Sequence, residues 1–115
     1  MRLKIPIILA LIKIGHAFES CSREGLCLGH LIEVQENVFS MQDCTERCRI
    51  KIGCNFASFH SNAKTCTMSR SCSKVVLRDQ PYRHQSPIQA ENCIRKRFTK
   101  DPYIFKHYFV SFSCD

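Results

Sequence analysis

The sequence predicts a small disulfide-rich domain of the α+β class, with one short helix fixed by cysteines to an antiparallel set of strands. Three observations predict it. Nine cysteines are spread over 115 residues, and all of them follow residue 17. Cys44 and Cys48 are four residues apart, so on a helix they share one face, and Gly53-Cys54 follows where a helix would end. Short β-rich runs, separated by turn residues, lie on both sides of that helix.

The chain opens with a basic stretch at Arg2 and Lys4, an apolar run over Ile5–Ile12, and small residues at Gly15 and Ala17. That pattern predicts a signal peptide over residues 1–17 and a secreted product. The apolar run is too short to cross a membrane, which takes about 20 residues. Residues 18–94 then form the domain, and residues 95–115 a basic, aromatic tail. Cys21–Cys27 reads as a polar loop closed by cysteines, and Leu31–Val34 as a strand turned by Glu36-Asn37. Ser40 is a good N-cap with Asp43 three positions on. Met41, Cys44, Cys48 and Ile52 fall at spacings 0, 3, 7 and 11, one apolar stripe of a three-turn helix. Glu46, Arg47, Arg49 and Lys51 take the solvated faces. Asn55–His60 and Thr65–Met68 read as two strands of a hairpin joined by the polar turn Ser61–Lys64. Ser69–Ser73 is a loop carrying Cys72, Val75–Leu77 a short strand, and Asp79–Pro87 an irregular loop between prolines. Ile88–Ile94 reads as a last strand bringing Cys93 back to the sheet. Tyr103–Phe112 has strong β-propensity but lies beyond that segment.

Composition excludes several function classes. Without the signal peptide, Lys+Arg falls from 17 to 14 against 10 acids, a net charge of +4. Residues 18–93 carry 9 basic and 8 acidic residues, and the rest of the excess lies in residues 94–115. A near-neutral core of this kind is no nucleic-acid surface. Zinc is disfavoured because the cysteines show no C-x2-C pair and the histidines no H-x3–5-H pair. No nucleophile elbow or zinc-protease motif is present, and paired acids of the kind found on any surface carry no signal, so no enzyme and no cofactor is expected. A dense cysteine set in a short secreted chain is a disulfide framework, each native bridge contributing about 2–5 kcal/mol.

The run from Ser40 to His60, SMQDCTERCRIKIGCNFASFH, followed by Cys66-Thr67-Met68, resembles the PAN/apple domain superfamily. A capped helix with C-x3-C, a third cysteine soon after, an aromatic strand and a cysteine on the return strand carry the likeness, over roughly Cys21–Cys93. It is similar to the short secreted PAN-like modules of invertebrates. The resemblance implies a helix cradled by a curved antiparallel sheet. Eight cysteines allow on the order of a hundred pairings. The resemblance implies Cys44 with Cys66, Cys48 with Cys54 and Cys21 with Cys93, which leaves Cys27 with Cys72 as the remaining pair and Cys114 unpaired. It also implies a non-catalytic module that binds extracellular protein or carbohydrate.

Three features bear on partners. Arg95, Lys96, Arg97 and Lys100 form the one charge cluster, readable as a site for anionic polysaccharide, as a processing site, or as a solvated edge. Phe56 and Phe59 are read as core facing the helix, with a ligand site as the alternative. Cys114 suggests a homodimer link. The rival readings are a membrane-active or toxin-like effector working through the tail, and a disulfide-linked matrix protein.

Overall fold

The computed structural model describes residues 15–77 and 81–97. They form helix α1 (residues 15–20), strands β1 (Arg23–Glu24), β2 (Leu26–Leu28) and β3 (Leu31–Glu36), helix α2 (Met41–Ile50), strands β4 (Phe56–His60), β5 (Thr65–Ser69), β6 (Lys74–Val76) and β7 (Tyr82–Gln85), and helix α3 (Pro87–Arg97). Five strands make an antiparallel sheet in the order β1-β7-β4-β5-β3, and β2 pairs with β6 in a separate ribbon. The architecture is a small α+β domain with its main helix on one face of the sheet.

Register explains the core. Phe59 stands opposite Cys66 and Ala57 opposite Met68, so these four share one face of the sheet. Met41, Cys44 and Cys48 of α2 descend onto that face, and Val38 and Cys54 complete the cluster. On the other face Ser58 stands beside His84. There the Ser58 hydroxyl accepts the Cys27 amide at 3.0 Å, and His84 Nδ1 bonds the Gly25 carbonyl oxygen at 2.9 Å. The β2 ribbon therefore covers the back of β4 and β7, and β4 is buried from both sides.

Helix α2 begins where its cap dictates. Ser40 is extended and its hydroxyl accepts the Asp43 amide at 3.0 Å. The helix stops at Ile50, two residues short of the expected end at Ile52, because Lys51 is extended and Gly53 takes φ +85°. Ile52 is consequently not part of the buried stripe and is 93% exposed. Arg47 bridges to Asp43 at 3.0 Å and donates to Gln35 at 2.7 Å, while Lys51 pairs with Glu33. Both Glu33 and Gln35 lie on the edge strand β3, so the open flank of α2 is laced to that edge. The Lys51 ammonium, helped by the Gln35 amide, holds the Glu33 carboxyl below its usual pKa.

Two segments differ from expectation. Residues 88–94 are helical, not a returning strand. Ser86 caps the helix, its hydroxyl taking the Gln89 amide at 3.0 Å, and Pro87 sits at the first helical position, where it lacks nothing by having no N–H. Ala90 and Ile94, four apart, are the buried face. Within the expected loop 79–87, Tyr82–Gln85 forms β7, an inner strand between β1 and β4. Its side chains are polar, and the Gln85 amide nitrogen donates to the Thr45 hydroxyl at 2.6 Å, tying β7 to α2, while Gln85 Oε1 is buried without a hydrogen-bond partner.

The structure joins Cys21 to Cys93, Cys27 to Cys72, Cys44 to Cys66 and Cys48 to Cys54, with Cα separations of 6.0, 5.3, 5.4 and 5.3 Å. These pairs coincide with the set reached through the resemblance. Cys114, Lys100 and the stretch 103–112 lie outside the described residues, as does most of the expected signal peptide. Of that segment residues 15–17 are described, and Ala17 is buried together with the neighbouring Phe18.

Candidate functional site

An open groove of about 600 Å³ lies where the exit of α2 meets the start of α3. Its walls are Arg49 and Cys54 on one side, Asn55 and Phe56 at the start of β4, and Pro87 and Ile88 on the first turn of α3. Each wall is fixed for a reason visible in the sequence. The Cys48–Cys54 bridge spans only six positions and locks the turn after α2. Gly53 makes that turn possible, since its backbone is left-handed and a Cβ there would stand 3.0 Å from the Arg70 guanidinium. Asn55 anchors the strand start, its amide bonding the Ser69 carbonyl and its side chain the Arg70 carbonyl, both at 2.9 Å. The Ser86 cap and Pro87 set where α3 begins.

The groove has both apolar and polar walls. Phe56 is half-buried, and Ile88 is 72% exposed. Arg49, Asn55 and Gln89 supply polar groups beside them. Exposed apolar side chains scattered singly are ordinary, but a concavity lined by apolar side chains with a few polar groups has the make-up of an interaction site.

A second cleft of about 380 Å³ lies at the other end of β4, lined by Glu19, Glu24, Met41, Phe59, Tyr82 and Arg83 among others. Arg83 is committed there to structure, its guanidinium donating to the Ser22 hydroxyl and carbonyl. Tyr82 is packed edge-on against His60, with ring centroids 4.6 Å apart. The cleft also reaches Leu77 and Pro81, on either side of residues that are not described. The groove is therefore the better-defined site.

The sequence-derived candidates separate. Phe56 and Phe59 lie on opposite faces of β4, being three apart on a strand. Phe59 is core, as expected for both; Phe56 instead lines the groove. Arg95, Lys96 and Arg97 form the last turn of α3. Consecutive helical residues point about 100° apart, so the three do not form one face. Arg95 pairs with Glu91 at 2.9 Å. Ile88 escapes sequence reasoning as a site residue because its segment reads as a strand. Its signal is Ser86-Pro87 followed by Ala90 and Ile94 at helical spacing, which places Ile88 off the buried face. Among the described residues no group of three or more His, Cys, Asp or Glu is placed to hold a metal ion, and no helix is long and apolar enough to cross a membrane.

The scaffold is a disulfide-stapled α+β domain carrying an open groove with apolar and polar walls. The PAN domain family model matches residues 22–93, beginning one residue after Cys21 and ending at its disulfide partner, and the chain belongs to the PAN domain family. No curated protein and no solved structure matches the chain significantly. PAN domains are in general protein- or carbohydrate-binding modules without catalytic activity, and they and dense disulfides are typical of extracellular proteins.

Proposed function

We propose that this protein is a secreted recognition module that binds an extracellular protein through the groove between α2 and α3. The observation that carries the reading is the composition of that groove: Phe56 and the exposed Ile88 line it together with Arg49, Asn55 and Gln89. Protein interfaces likewise combine an apolar core with polar groups. Carbohydrate recognition is less well served, since the groove offers one aromatic ring and no converging carboxylates. The expected signal peptide and the four disulfides support secretion.

The test compares the oxidised protein with Ile88→Asp and with a control change on the β4–β5 turn, Lys64→Ser. Each is cross-linked to the extracellular fluid of its source and screened on a glycan array. A protein partner held by wild type and control, and weakened at least about tenfold by Ile88→Asp, supports the reading. Equal capture by Ile88→Asp, or binding to glycans alone, refutes it.

A further inference from the structure

We propose that the turn after α2, closed by the Cys48–Cys54 bridge, is a lipid-docking tip. It seats Ile50 and Ile52 in the interface of an anionic phospholipid bilayer, while the cations beside them meet the headgroups. The proposal is independent of what the groove binds.

Three observations converge on it. The first is pattern. Residues 49–52 read Arg-Ile-Lys-Ile, and all four are exposed, Ile50 by 73% and Ile52 by 93%. Cations at the end of a helix are ordinary, since they meet the negative end of its dipole. Two isoleucines alternating with them are not explained that way. Turn corners are dominated by Gly, Pro, Asn, Asp and Ser, yet Ile52 occupies this one. Aliphatic side chains interleaved with long cations are the make-up of segments that lie in a bilayer interface, where the stems of Lys and Arg carry their charge past the apolar contact.

The second is rigidity. The Lys51 amide bonds the Cys48 carbonyl, and the Cys54 amide bonds the Lys51 carbonyl, both at 3.1 Å. Gly53 has positive φ and Ile52 does not, the pattern of a type II turn with Ile52 at its leading corner. The bridge closes this loop, and Lys51 is tied to Glu33. The tip is therefore held in shape before it meets a surface, and docking costs little ordering.

The third is charge. Residues 18–93 are nearly balanced, yet three of their nine basic residues gather here: Arg49, Lys51 and Arg70, whose guanidinium lies over Gly53. Arg70 forms no salt bridge among the described residues. Of the acids, Glu33 serves Lys51, and Glu46, one turn back on α2, accepts from Gln42. The tip is thus cationic, the complement of an anionic headgroup layer. A protein socket is less well matched, because the tip has no aromatic anchor of the kind that dominates protein hot spots.

The full oxidised chain is sedimented with vesicles of phosphatidylcholine alone, and with vesicles of about three parts phosphatidylcholine to one part phosphatidylserine. Wild type is expected on the anionic vesicles and not on the neutral ones. Ile52→Asp should weaken that binding at least about tenfold, and Arg70→Glu at least about fivefold. Phe39→Asp changes a side chain 68% exposed at the other end of α2 and should bind as wild type does. Wild type that stays in solution with both vesicles, or that binds both equally, overturns the proposal. So does binding that Ile52→Asp or Arg70→Glu leaves intact, or an equal loss in Phe39→Asp. As a second measurement, the chain contains no Trp, so Ile52→Trp supplies a lone fluorescent reporter. Its emission should shift to the blue on anionic vesicles and be quenched by bromine atoms on the acyl chains. Emission that the vesicles leave unchanged counts against docking.

Discussion

Phe18 is 1% exposed although it sits beside an expected cleavage point and has no helical stripe to announce it. Its burial gives the segment before Cys21 a structural role. Phe18→Ala should lower stability by about 3–5 kcal/mol, the range for emptying a buried Phe site, read by denaturant unfolding of the oxidised protein. Ser40 is the opposite case, wholly legible in sequence because capping is local chemistry. Ser40→Ala should cost about 1 kcal/mol, and Ser40→Asp should restore most of it. Gly53 was legible as a helix terminator. That an arginine lies over it was not, since Arg70 arrives from the far end of β5.

At the scale of elements, α2 and the β4–β5 hairpin could be read directly because each carries its own periodicity and punctuation. Helix α3 and strand β7 could not. In α3 the apolar residues are few, and the need to return Cys93 to the sheet suggested a strand; the Ser86-Pro87 start was the better signal. In β7 the sequence Tyr-Arg-His-Gln gives no apolar alternation, because an inner strand here buries polar groups that find partners only once the sheet is assembled. The lacing of α2 to the edge strand makes a pH prediction. Glu33 has its pKa lowered by Lys51, so the pair contributes stability above the unfolded carboxylate value of 4.5, and the contribution is lost as pH falls through the lower folded value. Wild type should exceed Glu33→Gln in thermal midpoint at pH 7, and the gap should close by pH 3 and shrink in high salt. A gap that persists at pH 3 would assign the effect to packing instead.

Across the whole molecule, the four bridges close loops of very different length, from 72 positions for Cys21–Cys93 down to 6 for Cys48–Cys54. Chain-entropy reasoning gives about 4 kcal/mol for the longer and about 2 kcal/mol for the shorter. Replacing Cys21 and Cys93 together by Ser should therefore lower the denaturant midpoint more than replacing Cys48 and Cys54. The shorter pair should instead matter to the groove, loosening Cys54 and Asn55 and weakening partner binding more than stability. The framework was accessible from sequence because cysteine spacing survives as a pattern. The groove was not, because its two walls come from segments more than thirty residues apart.

The Cys21–Cys93 bridge holds its two α-carbons 6.0 Å apart. The chain therefore enters and leaves the domain at nearly one point, as a bead hung on a thread. Such a unit can be spliced into a surface loop of a host protein without stretching it, and the order of its segments can be rotated without disturbing its sheet. A circularly permuted version, with Arg97 joined to Phe18 by a short Gly-Ser link and new ends opened between Asn62 and Ala63, should regain all four bridges on oxidation. It should also bind through the groove as the native order does, because the opened turn lies on the far hairpin, away from Phe56 and Ile88.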